Sequence, residues 1–221
     1  MTASLHQRLR LRFAKRGDAR FLSHHDLMRA WEMALRRSGL PLRMSEGFNP
    51  RIKLSMPMAL GLGIASEDEI IEIELDGWCT EAEVRGKLEP ELPPGLSLTA
   101  LSLLAPGQRG QVAWVEYSLR LDDDAGTRLR ALLDQQAVVV DRVREGSRQS
   151  LDIRPYLLEV RREAPEDWRV RLRVTPRGTA RADEVLRAIG IEGPAVLALV
   201  AKLKTELETP SPPGGHPAFR R

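Results

Sequence analysis

The chain has 221 residues, 42% apolar and 29% charged, an ordinary balance for a globular protein and long enough to bury one core or two small ones. Its single cysteine, Cys79, excludes an intrachain disulfide, and this stretch alone supplies neither a four-cysteine zinc site nor a three-cysteine iron–sulfur cluster. No apolar run before Leu22 suits a signal peptide and none is long enough to span a membrane, so the expectation is a cytoplasmic protein.

The formal charge of +3 conceals an asymmetry: residues 1–56 carry a net +8 and residues 57–104 a net −8. The pattern of elements decides what this means. Gln7–Phe13 alternates Leu9, Leu11 and Phe13 with Arg8, Arg10 and Arg12, a strand with its arginines on one face. Ser23, with Asp26 three residues on, caps a helix that repeats Leu27, Trp31, Ala34 and Leu35 and stops at Gly39 and Pro41. Extended runs follow at Leu42–Met44 and Ile52–Met56, joined by a loop in which Gly47 and Pro50 constrain the backbone and can aim Arg51 and Lys53 outward. Glu69–Leu75 alternates Ile71, Ile73 and Leu75 with Glu72 and Glu74, Thr80-x-x-Glu83 opens a helix toward Leu88, and Leu96–Leu103 is a fourth strand.

The order βαββαβ predicts a ferredoxin-like half over residues 1–105. It sets the first and third strands side by side and antiparallel, with Arg8, Arg10 and Arg12 facing Glu72 and Glu74. The sheet charges then cancel, and the face lacks the aromatics on which an RNA-recognition sheet stacks bases. Arg16, Arg20, Arg51 and Lys53 have no counter-charge in nearby sequence, so a polyanion is expected at that loop edge.

Ala105–Gln111, with Pro106, Gly107 and Gly110, breaks the composition and predicts a domain boundary. A second unit, 112–208, begins with a strand at Val115–Leu121 and a helix started by Asp122–Asp124. These three carboxylates suit a helix N-terminus, and consecutive residues diverge too widely to hold one metal, so no metal site is assigned. A strand at Val138–Val143, a turn at Glu145–Ser147, a hairpin about Pro165–Asp167 and a helix over Ala182–Ile189 follow. Pro194 is read as starting a last helix to about Leu207. The fold class expected is therefore α+β, two ferredoxin-like halves in tandem, the second degenerate with a C-terminal helix, and a disordered tail at 209–221.

The run FLSHHDLMRAWEMALRRSGLPLRMSEGFNPRIKLSMPMALGLG, residues 21–63, resembles the signature of the bacterial radical-SAM-linked protein family. Weaker matches include Leu151-Asp152-Ile153-Arg154-Pro155 and residues 175–190. His25 stands where the family pattern carries an apolar residue, so no paired-histidine role is carried over. The resemblance implies a domain fused to, or encoded beside, a radical SAM protein, and hence an accessory module without a cofactor of its own. The loop of that run, with the uncompensated charges around it and Arg154, makes Ser45, Glu46, Phe48, Asn49, Arg51, Lys53, Arg16, Arg20 and Arg154 the expected partner- or phosphate-binding residues.

Two further functions fit the residues. Arginine outnumbers lysine 29 to 5, and arginine suits bidentate phosphate recognition, which makes RNA a second candidate partner, with Arg142, Arg144, Arg148, Arg154 and Arg177 as contacts in the second unit. His24 is the one catalytic candidate, as the acid/base of a metal-independent endoribonuclease, by likeness of architecture to tandem ferredoxin-like CRISPR repeat-cleaving enzymes. A capping-region histidine is the plainer reading. Cys79, beside the cap Thr80 and without a paired base, reads as a structural thiol.

Overall fold

The computed structural model describes residues 6–208 except 106, 107, 109, 145 and 146. The expected disordered tail, most of the turn at Glu145–Ser147, and Pro106 and Gly107 of the expected boundary lie outside the described residues. Among the described residues ten strands and four α-helices follow in the order β1 (His6–Lys15), α1 (His24–Arg37), β2 (Leu54–Ser55), β3 (Ala65–Asp76), α2 (Glu81–Leu88), β4 (Leu96–Leu103), β5 (Val112–Arg120), α3 (Asp123–Ala131), β6 (Val139–Arg144), β7 (Ser147–Asp152), β8 (Leu157–Ala164), β9 (Asp167–Arg173), α4 (Ala182–Ala188) and β10 (Val200–Leu207).

Eight strands form one sheet in the order β4-β1-β3-β10-β5-β9-β8, with β2 also on β3, and β6 and β7 make a separate hairpin. Arg8 lies opposite Glu74 and Arg10 opposite Glu72, the antiparallel register expected from the alternating strands. The same register puts Leu9, Leu11 and Phe13 with Ile71 and Ile73 on the opposite face, under α1 and α2, in one hydrophobic cluster. A second cluster sets Val115, Tyr117 and Leu119 of β5 and Val170 and Leu172 of β9 against α3 and α4. All four helices therefore cover one face of the sheet, and the arginine rows occupy the other. None of the described helices is long and apolar enough to cross a membrane.

The C-terminal helix expected from Pro194 to Leu207 is absent. Residues Pro194–Leu199 form a short 3₁₀ segment, and residues 200–207 are strand β10, parallel to β3 and antiparallel to β5. Leu199, Leu203 and Leu207 do recur at helical spacing, but Val200, Lys202 and Thr205 turn inward, and the gap between β3 and β5 offers two unpaired backbone edges that a strand alone can satisfy. The second half thereby gains its fourth strand.

The first half departs from expectation in the opposite sense. Of the runs at Leu42–Met44 and Ile52–Met56, only the two-residue β2 is a regular strand, supplemented by isolated bridges Leu42–Leu75 and Met44–Ile52. Pro41, Pro50 and Pro57 each remove a donor from this stretch, and the N-terminal part of the same β3 edge, Ala65 and Ser66, is taken by β10.

Candidate functional site

Residues 41–55 form a tongue at the end of the sheet. Its base is held by backbone hydrogen bonds: Asp76 N–H donates to Pro41 O (2.7 Å), Arg43 N–H to Glu74 O (2.9 Å) and Glu74 N–H to Lys53 O (3.1 Å). Its two arms close on each other through Lys53 N–H to Arg43 O (2.9 Å), Ser45 N–H to Arg51 O (2.7 Å) and Arg51 N–H to the Ser45 hydroxyl (2.9 Å). Gly47 sits at φ 120°, a backbone that a side chain would strain, and so lets the tip reverse between Glu46 and Pro50. Phe48 at the tip is 106% exposed, the extreme among the exposed large apolar side chains. Glu46, Asn49, Pro50 and Arg51 around it are exposed as well.

The charges below the tip are spent internally. Arg43 reaches Glu74 (3.2 Å) and Lys53 approaches the same carboxylate (4.0 Å). Arg8 lies between Glu72 (3.6 Å) and Glu74 (3.5 Å), and Arg10 donates to Glu72 (2.7 Å). A cavity of about 320 Å³ at the tongue's base is lined by Arg8, Lys53, Leu54, Ser55, Glu72 and Glu74. The tip thus offers an exposed aromatic ring between the opposite charges of Glu46 and Arg51.

The other expected contacts do not gather here. Arg16 and Arg20 flank the C-terminal end of β1, whereas the tongue pairs with the opposite end of β3, so roughly 30 Å of strand separates the two groups. The single basic loop edge expected from sequence is therefore two separate places. Arg16 is ion-paired with Glu67, which holds the carboxyl below its ordinary range through that hydrogen bond. Arg20 lies over the Phe21 ring, 4.6 Å from its centre. Arg154 is a structural clamp, donating to Leu133 O (2.7 Å) and Leu157 O (3.1 Å). Arg142 forks onto Glu184 (2.6 and 2.7 Å), while Arg148 and Arg177 are exposed; the side chain of Arg144 lies outside the described residues.

His24 opens α1 just after the cap Ser23, whose hydroxyl accepts from Asp26 N–H, and its ring lies 5.9 Å from that of His25. Cys79 is buried, and its backbone is bridged both ways by the Gln7 amide at 2.9 Å. The carboxylates of Asp122–Asp124 diverge: Asp122 caps α3, Asp123 meets Arg162 (2.6 Å) and Asp124 pairs with Arg128. Among the described residues no cluster of three potential metal ligands occurs.

Sequence reasoning missed the seam between the halves. On the helix-covered face Lys202 of β10 meets Glu69 of β3 at 2.7 Å, with Lys15 of β1 close by, and all three are buried. Burial, together with Lys202, pushes the Lys15 ammonium down against the opposing pull of Glu69, and Lys15 donates to Leu22 O (3.0 Å). Residues 58–64, which close the signature run and pass one residue beyond it, cross the seam: Leu60 and Ile64 join the second cluster. Between them and α4 opens a cavity of about 370 Å³ lined by Met58, Tyr117, Arg142, Arg181 and Asp183 among others. Burial, then the charges of Glu69 and Asp183, pushes the Tyr117 hydroxyl up, so it remains a hydrogen-bond donor and not a base. Lys202 stands in the run Val200-Ala201-Lys202-Leu203-Lys204, but its partner Glu69 lies 133 positions away, and only the placement of β10 reveals the pairing.

These features define an α+β protein with a charge-cancelled open sheet face, a projecting tongue and a seam cavity. Against known families, residues 8–186 match the model of DUF2344, described as an uncharacterized protein conserved in bacteria, and the chain belongs to that family. No curated protein matches it.

Proposed function

We propose that the chain is an accessory module that docks a radical SAM protein through the tip of its tongue and has no reactive centre of its own. The observation that carries this reading is Phe48: a phenyl ring held fully in solvent at the tip of a loop whose base is fastened to β3 by backbone hydrogen bonds. Solvating such a ring is unfavourable, whereas an aromatic anchor in a polar rim supplies much of the affinity of a protein interface. The nature of the partner rests on the resemblance of residues 21–63 to the radical-SAM-linked signature, and the tandem ferredoxin-like reading of the two halves is supported by the order 4-1-3-2 within each, β4-β1-β3-β2 and β10-β5-β9-β8.

RNA binding at the basic loops is less favoured, because Arg16 and Lys53 spend their charge on Glu67 and Glu74 and the arginines stand at opposite ends of the sheet. The endoribonuclease reading has His24 at a helix cap as its sole support. The test is co-expression with the radical SAM protein encoded beside the gene. Wild-type chain is expected to bring the partner through two purification steps and Phe48→Asp to lose it; equal retention by both, or by neither, rejects the tongue as the docking element.

A further inference from the structure

Among the described residues the strand order of the main sheet ends in β4 on one side and β8 on the other, and these two edges are protected very differently. Edge β8 carries Glu159, Arg161, Arg162 and Glu163, and Arg161 sits among Glu116, Glu159 and Glu163 at 3.0–3.3 Å. Charge of this kind discourages pairing with another chain. Edge β4 is Leu96-Ser97-Leu98-Thr99-Ala100-Leu101-Ser102-Leu103: eight residues with no charge and no proline, in a chain that is 29% charged.

The order of those eight residues is nearly the same in both directions. When two antiparallel copies meet about the Thr99–Ala100 midpoint, Leu96 falls opposite Leu103, Ser97 opposite Ser102, Leu98 opposite Leu101 and Thr99 opposite Ala100. A two-fold interface requires each patch to complement itself, and antiparallel strands related by such an axis satisfy that requirement when the sequence is palindromic. The bulge in the β1–β4 register, where Arg12 faces Ala100 and Phe13 faces Leu98, resets the alternation so that all four leucines lie on the helix-covered face. Of these, Leu103 is 54% exposed, and nearby Trp78 is 61% exposed, both bordering a cavity of about 230 Å³ with Leu9, Cys79 and Leu101. Ser97, Ala100 and Ser102 are exposed on the other face.

We propose that β4 is the interface of a two-fold homodimer, in which the two sheets join edge to edge into one continuous sheet and the leucines of one copy pack on those of the other. The occupant is a second copy of this chain, because the edge is complementary to its own reverse and carries no charge to repel it. This inference stands independently of the tongue.

The experiment is sedimentation of the full chain up to about 1 mM, the weak end of specific association. Wild type is expected to reach twice the monomer mass of 24.8 kDa. Ala100→Lys, at an exposed position, sets lysines beside the two-fold axis and is expected to weaken the dimer at least about tenfold while the thermal melt is unchanged. A register test removes any dependence on that variant: Ser97→Cys mixed with Ser102→Cys is expected to oxidise to a disulfide-linked dimer, and neither protein alone to do so. A wild-type monomer at every concentration, a dimer indifferent to Ala100→Lys, or equal cross-linking by either cysteine variant alone overturns the proposal.

Discussion

The two halves fill the layer between helix and sheet from opposite sides. In the first, the large ring belongs to the helix: Trp31 of α1 descends onto Phe13 of β1, ring centres 4.7 Å apart and inclined at 63°. In the second, the ring belongs to the sheet: Trp168 of β9 rises against α3, and α3 answers with Gly126, where a Cβ would lie 1.9 Å from the indole. The vulnerable residue is therefore a tryptophan on one helix and a glycine on the other. The elements that follow the first helix of each half differ too. The tongue is fixed by backbone bonds at its base and leaves its tip free, whereas the β6–β7 hairpin is tied to α4 by Arg142, which forks onto Glu184 and also donates to Thr179 O (2.9 Å).

Two substitutions are expected to have the largest effects. Trp31→Ala empties a fully buried site and should cost about 3–5 kcal/mol in denaturant unfolding. Arg142→Ala leaves the Glu184 carboxylate, 0% exposed, without its counter-charge, and about 3–5 kcal/mol is again expected, measured by the same titration. If Arg142→Ala proves neutral, the hairpin is not anchored as described. Gly126→Ala forces Trp168 or α3 to move and should cost about 1–3 kcal/mol, and combining it with Trp168→Leu should recover part of that loss, since the two residues are in contact.

The Arg142–Glu184 pair also makes a pH prediction. Burial pushes the Glu184 carboxyl up, but hydrogen bonds from Arg142 and from the Arg181 N–H outweigh it, and the group titrates below its ordinary value of 4.5. A depressed folded value means that the pair's contribution is complete above about pH 4.5 and is lost as pH falls through the lower folded value. Acid titration of wild type should therefore lose stability in that window, and Arg142→Ala should lose less. The smallest effect belongs to the tongue: Phe48→Ala should change unfolding free energy by no more than about 0.5 kcal/mol, as for an exposed side chain without contacts to lose. A larger loss would mean that the ring packs on its own chain.

Much of this layout was legible wherever local periodicity carried the signal. The Leu/Arg alternation of β1, the Ser23 cap, the Thr80–Glu83 capping box and the β8–β9 hairpin are written in adjacent residues and occur as read. What escaped depends on distant partners. β10 has leucines at helical spacing and becomes a strand because β3 and β5 leave a slot for it. β7, Ser147–Asp152, is polar and without alternation, and its partner is the neighbouring β6. Arg16 and Lys53 looked unpaired because Glu67 and Glu74 lie 51 and 21 positions away in sequence. The exposed loop at Ser45–Arg51 was found from Gly47 and Pro50, residues whose backbone restrictions act without help from the rest of the fold.

The claim that the tongue tip is the docking element is tested most directly by amide hydrogen exchange of the full chain with and without the proposed radical SAM partner. The account predicts slowed exchange at residues 46–51 on adding the partner, with the amides of β3 and α1 unchanged. Protection that falls elsewhere while the tip continues to exchange freely would contradict it.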